Sequence, residues 1–317
     1  MSHTLVLIEH DRGTLSPAAL EALTFARTLG QPVEALTIGA NADGLATHLA
    51  AFGVTRVLQA HHDMLTDYGP EAWGAVVAHA VAHTSPAVVV ATGTDRGNEV
   101  LAHAAARLDL PFAANVTSVD GAEITRVRWG GSLLENARLD AQVGLLTVAH
   151  HSVDAAPADE PGAAEPVELA VDLDPHLGRS MVSGRVERAA GVTLATAPVV
   201  VGGGRGVGSE EAFAPLEELA AELGGVVGCS RAVTNNGWRN HTDQVGQTGT
   251  RIAPDVYLAC GISGAIQHWV GAAASKNIIA VNTDPQANMV TRAGYAVIGD
   301  LHDVVPAITA EIRRRRG

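Results

Sequence analysis

The chain has 317 residues, a formal net charge of -13 and two cysteines, Cys229 and Cys260. The acidic balance argues against nucleic acid as a main partner, because phosphate backbones are bound by clustered Lys and Arg. No stretch reaches the ~18 unbroken apolar residues of a membrane helix, Met1–His10 lacks a signal-peptide pattern, and two cysteines without CxxC spacing suit a reducing, cytoplasmic setting.

The length is that of two domains. Hydrophobic residues make up 47% of the chain and aromatics 3%, so cores must be built from Ala, Val, Leu and Ile, as in α/β proteins. Leu5 to Glu9 reads as a buried strand. Ser16 to Leu29 reads as a helix with Pro at its first position and Gly30 as its stop. The alternation continues with Val33 to Ile38 as strand, Asp43 to Phe52 as helix, Arg56 to Ala60 as strand, Pro70 to Ala82 as helix and Ala87 to Ala91 as strand. A helix from about Asn98 to Leu108 follows. Such alternation predicts right-handed βαβ crossovers and a mostly parallel sheet.

After Pro111 the pattern shortens to strand candidates at Ile124 to Trp129, Ala137 to Gln142 and Leu145 to Ala149. Val153 to Pro166, rich in Ala, Pro and acids, reads as an exposed loop. Strand-like runs resume at Val167 to Leu173 and Met181 to Glu187, and Arg188 to Thr196 reads as the approach to a second domain.

That domain opens with Pro198 to Val201 as a strand, then the Gly-rich turn Gly202 to Gly208, a Ser209 cap and a helix from Glu210 to Leu223. Strand, Gly-rich turn and helix is an anion-binding arrangement, because a helix N-terminus presents free N–H groups. The strict GxGxxG spacing is absent, so a dinucleotide fingerprint is not claimed. Val256 to Ala259, Gly264 to Ala274, Ile278 to Val281, Tyr295 to Ile298 and a last helix from about Val304 complete a second parallel sheet. The basic run Arg313 to Arg316 reads as a solvated tail or a complement to the final helix dipole.

Ligands of open parallel sheets bind beyond the carboxyl ends of the strands. The polar residues there are Arg205, Ser230 with Arg231, Ser263 to His268, Asn282 and Asp300. Each alone is more often a cap or turn residue, whereas as a set they favour a nucleotide site. His61 with His62 and His150 with His151 are adjacent pairs rather than clustered metal spacings. Cys260 reads as a small core residue and Trp238 as packing.

GGRG at Gly203 to Gly206, SR at Ser230 and Arg231, QVGQTG at Gln244 to Gly249, GISGAIQH at Gly261 to His268, VNTDP at Val281 to Pro285 and GDL at Gly299 to Leu301 resemble the FAD domain of the electron transfer flavoprotein alpha subunit. The strong resemblance covers roughly the last 120 residues. It is looser before, resting on the order of βαβ units and on ATGTDRGNEVLAHAAARLDLP at Ala91 to Pro111. It implies an N-terminal α/β domain over residues 1–192, of nucleotide-hydrolase-like fold and packed on a partner, and a Rossmann-like FAD-binding domain over 193–317. It also implies that FAD is held by Arg205, Ser230, Arg231, Gln244, Val245, Gly246, Gln247, Thr248, Gly249, Ser263, Gly264, Ala265, Ile266, Gln267, His268, Asn282, Asp300 and Leu301. Gly261 and Gly264 would let backbone approach the ligand, Ser263 would cap the following helix, and that helix would face the pyrophosphate. Thr248 would reach the flavin N5 edge, with Arg231 and His268 near the pyrimidine side.

A full charge ~4 Å away at an effective dielectric of 20 is worth ~4 kcal/mol before screening, against ~0.3 to 1 kcal/mol for a helix terminus. Arg231 is therefore expected to be the principal electrostatic stabiliser of reduced flavin, with His268 second. The chain departs from the family at Thr283, where Lys is common in an NKDP run, and at Thr250, where Lys commonly follows QVGQTG.

The resemblance further implies a heterodimer with a beta subunit that binds AMP, taking electrons from flavin dehydrogenases such as acyl-CoA dehydrogenases and passing them to a quinone oxidoreductase. It requires no catalytic base or nucleophile. A bifurcating form, with a second FAD in the partner and NADH as donor, and a non-redox nucleotide-binding sensor are the alternatives.

Overall fold

Thr4–Leu7 (β1) is buried throughout, with Leu5 and Leu7 entering one core and Val6 and the following Ile8 another. Side chains of a strand alternate between faces, so an apolar run with no polar alternation belongs at the centre of a sheet covered on both sides. The computed structural model describes residues 2–184 and 192–316. It divides into two units, Met1–Arg128 with Leu133–Glu187, and Trp129–Ser132 with Arg188–Gly317.

In the first unit, β1 is followed by a small hairpin of β2 (His10–Asp11) and β3 (Thr14–Leu15) and then by α1 (Pro17–Thr28). Next come β4 (Val33–Ile38), α2 (Ala46–Ala50), β5 (Val54–Ala60), α3 (Pro70–Thr84), β6 (Val88–Thr92) and α4 (Asp95–Leu108). β7 (Phe112–Asp120), β8 (Glu123–Arg128), β9 (Leu133–Arg138), β10 (Gly144–Val148) and β11 (Glu165–Leu169) complete it. The sheet order is β11-β5-β4-β1-β6-β10-β7-β8-β9, parallel except where β8 pairs with β7 and β9. α1 packs in the core on one face, and α3 with α4 in the core on the other.

The second unit contains β12 (Val199–Gly203), α5 (Ala214–Glu222), β13 (Val226–Cys229), α6 (Arg231–Asn235) and β14 (Val256–Cys260). α7 (Ile266–Ala272), β15 (Asn277–Asn282), α8 (Asn288–Arg292), β16 (Tyr295–Ile298) and α9 (Leu301–Arg316) follow. Its five strands are all parallel in the order β13-β12-β14-β15-β16. α5 and α9 share one core, while α7 and α8 contribute to the other. The strand order reverses between β12 and β14, which places a crevice at their carboxyl ends.

Both units are therefore α/β, with mostly parallel sheets flanked by helices. Among the described residues no helix is long and apolar enough to cross a membrane.

Several local expectations are corrected. The region from Asp43 to Phe52 is a 3-10 turn, Ala40–Leu45, leading into α2. The helix expected from Glu210 splits into a 3-10 turn, Glu211–Phe213, and α5, with the Ser209 hydroxyl accepting from the Ala212 N–H. The Gly-rich turn is itself a 3-10 turn, Arg205–Val207, ended by Gly208 at φ 92°, so no helix N-terminus follows it directly. Ala137 to Gln142 is strand only to Arg138. Of Met181 to Glu187, residues 181–184 are not strand and the rest lie outside the described residues, as does much of the Arg188 to Thr196 approach. The Arg313 to Arg316 run, by contrast, is the last turn of α9, in line with the reading of a complement to the final helix dipole, and Arg313 pairs with Glu218 and Glu222 of α5.

Candidate functional site

Two clefts open at the carboxyl ends of the second unit's strands. The first, of about 360 Å³, is lined by Arg205, Gly206, Ser230, Ala232, Gly261, Ser263, Asn282, Asp284 and Ala287. The second, of about 300 Å³, is lined by Arg231, Thr234, Asn235, His241, Gln244 and Thr248. Ser230 and Arg231 begin α6, so that one turn of chain serves both.

Backbone hydrogen bonds tie the loops behind these walls to one another. Gly204 N–H donates to Cys260 O at 2.8 Å, Gly206 N–H to Gly261 O at 3.1 Å, Met289 N–H to Ser263 O at 3.1 Å and Gln247 N–H to Gln267 O at 2.7 Å. Two glycines are dictated by close approach. A Cβ on Gly264, which has φ +78°, would stand 2.2 Å from Met289 N, and one on Gly202 would stand 2.4 Å from Tyr257 Oη. Gly264 thus serves close contact between loops.

The expected residues fall into three groups. Arg205, Ser230, Ser263 and Asn282 line the first cleft, and Arg231, Gln244 and Thr248 the second. Gly249, Ala265, Ile266 and Gln267 lie outside both linings and keep solvent exposure, whereas Val245, Gly246 and Gly264 are buried. Gln247 is exposed. Asp300 caps α9, its Oδ1 accepting from His302 N–H at 2.9 Å, and Leu301 is buried against that helix's core. Asn282 uses its amide on the loops, donating to Ile262 O and accepting from Asp284 N–H. Ser263 does not cap α7, whose N-cap is Ala265.

His268 is 6% exposed, and its Nε2 lies 2.8 Å from Tyr257 Oη. Burial pushes the imidazole down to about 4, with the Val245 backbone opposing weakly. Its Nδ1 is buried and faces the Val245 backbone. At neutral pH His268 is uncharged, so among the expected tuners Arg231 carries the positive charge.

Arg205 and Arg231, one in each cleft, have no carboxylate partner among the described residues. Arg239, by contrast, is engaged with Glu217 and with Asp243 at 3.1 Å and lies over the Phe213 ring, which fixes the residue preceding Gln244. Trp238 packs against the same core. Cys229 and Cys260 flank Gly203 in register, fully buried, and burial pushes both thiols up to about 12. Unpaired guanidinium groups in open clefts on an acidic chain suit an anionic ligand. With the hydroxyls of Ser230, Ser263 and Thr248 in the same linings, these residues fit a large polar cofactor such as FAD.

The first unit differs at its own switch between β1 and β6. There the Glu9 carboxyl group accepts from the Thr92 hydroxyl at 2.6 Å and from the Thr94 hydroxyl. Elsewhere in this unit one Glu21 carboxylate oxygen accepts from His151 N–H and the other lies 3.2 Å from His151 Nδ1, while the His150 and His151 ring centroids lie 3.7 Å apart with the rings tilted by 31°. Glu21, His150 and His151 bring ligand-type atoms within 4.8 Å of one another, a grouping that adjacent histidines in the sequence do not reveal. His61 sits between Asp43 and Glu168, 2.9 Å from each.

Sequence reasoning missed Thr234 and Tyr257. Thr234 lies one helical turn beyond Arg231, a spacing that would have flagged it. Tyr257, inside an apolar strand run, carries no such signal.

Comparison with known proteins identifies the family. A family model described as the electron transfer flavoprotein FAD-binding domain matches residues 193–273, and one described as the electron transfer flavoprotein domain matches residues 4–174. The electron transfer flavoprotein subunit alpha of Mycobacterium leprae is 36% identical over 327 residues, covering 100% of both chains. That of Bacillus subtilis is 34% identical, covering 98% of this chain and 97% of its own. A Caenorhabditis elegans protein named "Probable electron transfer flavoprotein subunit alpha, mitochondrial" is 37% identical, covering 98% and 94%. A solved thiamin diphosphate-dependent enzyme of Mycobacterium smegmatis matches at 14% identity and TM-score 0.25, the chain spanning 59% of its length, and carries no argument. The fold is α/β, and the matched domains are those of an electron-carrying flavoprotein with an FAD-binding domain. The chain belongs to the electron transfer flavoprotein alpha subunit family.

Proposed function

We propose that this chain binds one FAD across the two clefts and, as the alpha half of a heterodimer, carries electrons from flavin dehydrogenases, such as acyl-CoA dehydrogenases, to a quinone oxidoreductase. The beta subunit would hold AMP. The functional division is residues 1–192 for partner packing and 193–317 for the cofactor. The observation that carries this reading is the pair Arg205 and Arg231, unpaired positive charges facing open clefts at the carboxyl edge of a parallel sheet.

When bound, FAD supplies the electron-accepting and electron-donating chemistry, and the protein supplies binding and field. Arg205, with Ser230 and Ser263, offers positive charge and hydroxyl donors suited to phosphate oxygens. Arg231 and Thr248 face the isoalloxazine in this reading. Arg231 stabilises the negative charge that arrives with an electron, and Thr248 offers a hydroxyl. No side chain is asked to move a proton.

The test is production of the chain with its beta subunit, followed by an absorbance spectrum and a donor titration. A yellow heterodimer bleached by an acyl-CoA dehydrogenase with its substrate supports the reading. A colourless heterodimer that takes up no FAD overturns it. Two FAD per heterodimer with rapid bleaching by NADH would replace it with the bifurcating form.

A further inference from the structure

Gln244 is 3% exposed, yet its side-chain amide belongs to a polar chain that ends in the second cleft. Its Oε1 accepts from the Thr234 hydroxyl at 2.8 Å, and its Nε2 donates to Thr248 Oγ1 at 3.0 Å. A buried amide must have partners, and here its oxygen faces Thr234 and its nitrogen faces Thr248; because a hydroxyl can donate or accept, the way round the amide sits sets the sense of the whole chain.

The proton of Thr234 has two acceptors in reach, since Arg231 O lies at 3.0 Å. With the Gln244 nitrogen committed to Thr248, its oxygen faces Thr234. With the amide this way round, donation to Arg231 alone would set the Thr234 and Gln244 oxygens against each other in a part-buried place. The Thr234 proton therefore goes to Gln244. Thr248 consequently receives a hydrogen bond through its oxygen, and its own proton remains uncommitted at the cleft surface.

We propose that Thr234 and Gln244 are positioning residues that set the polarity of the Thr248 hydroxyl, so that it donates into the cleft to a hydrogen-bond acceptor on the bound flavin. The inference rests on the FAD reading given above. Thr234 touches no ligand in this scheme and acts only through the buried amide. Donation is strengthened because hydrogen bonds in a chain polarise one another. Such a donor favours the flavin carrying the added electron, and its loss disfavours it.

The test is the one-electron midpoint potential of the FAD-loaded heterodimer for the wild type, Thr248→Ala, Thr234→Val, Thr234→Ser and the double variant Thr234→Val with Thr248→Ala. Thr248→Ala is expected to lower the potential. Thr234→Val, which keeps the shape and removes the hydroxyl, lowers it in the same direction by about threefold in the equilibrium constant, given 59 mV per tenfold. Thr234→Ser restores it. In the double variant the Thr234 substitution adds nothing, whereas a general loosening of the fold would add.

The proposal is overturned by an unchanged potential in Thr234→Val when Thr248→Ala is shifted. It is also overturned by a shift that persists in the double variant, or by a rise, which would mean that the amide lies reversed and Thr248 accepts from the ligand. An unchanged Thr248→Ala removes Thr248 from the flavin and the proposal with it. A wild type without FAD is a failure of the parent reading.

Discussion

Tyr257 Oη and His268 Nε2 stand 2.8 Å apart beneath the loops of the second unit, both side chains buried. Burial holds the imidazole down to about 4. As pH falls from the ordinary value of 6.5, the unfolded chain takes up a proton that the folded chain refuses, so stability present above pH 6.5 is lost on the way down to pH 4. The loss over that window is expected to be about 3 kcal/mol in the ligand-free protein. Urea unfolding at pH 7 and pH 4.5 measures it, and a His268→Gln variant with the same pH slope would assign the loss to other groups.

His61 has the opposite sign. The hydrogen bond to Asp43 is the main force raising its pKa, with Glu168 adding to it. The clamp between β5, β11 and the Ala40–Leu45 turn is therefore fully present below pH 6.5 and lost as pH rises through the folded value. An NMR titration of His61 is expected to show a midpoint above 6.5. Stability that declines from pH 6 to pH 8.5 in the wild type should decline less in His61→Asn.

Gly264→Ala is expected to cost more than about 3 kcal/mol, because it combines left-handed backbone with a clash against a neighbouring backbone nitrogen. Gly237, at φ +75° with nothing within 4 Å of where a methyl group would stand, is the control. Gly237→Ala carries only the backbone strain, about 1 to 2 kcal/mol. Equal losses of thermal stability in the two variants would remove the clash from the explanation.

Arg231→Ala is expected to lower the flavin midpoint potential, and Arg231→Lys to restore much of it, since charge rather than the guanidinium fork is what the field needs. Arg231 is exposed, so solvent screening holds the effect well under the ~4 kcal/mol contact value. Potentials unchanged in Arg231→Ala would move the principal charge elsewhere.

The strand ladder was legible because apolar runs such as Leu5 to Ile8 and Val88 to Ala91 have no other place to go. β7 was not. Phe112–Asp120 mixes buried and exposed residues and pairs parallel with β10 but antiparallel with β8, a role that no local period specifies. Residue types at strand ends pointed to this edge of the sheet, since position beyond a carboxyl edge follows from topology, but they did not separate it into two clefts. Whether a side chain there faces ligand or framework depends on loop contacts distant in sequence. That is why Asp300 proves to be a helix cap, and Gln244 a buried link behind Thr248.

The backbone bonds that join one loop to the next have a further consequence for a carrier. Whatever nuclei must shift when charge arrives or leaves set the reorganisation energy of each electron hop. Cleft walls laced by main-chain hydrogen bonds from β12 through α8 have little freedom to follow the charge. The ordering of those loops belongs to folding rather than to each turnover. A small change in loop geometry between charge states favours fast transfer in both directions.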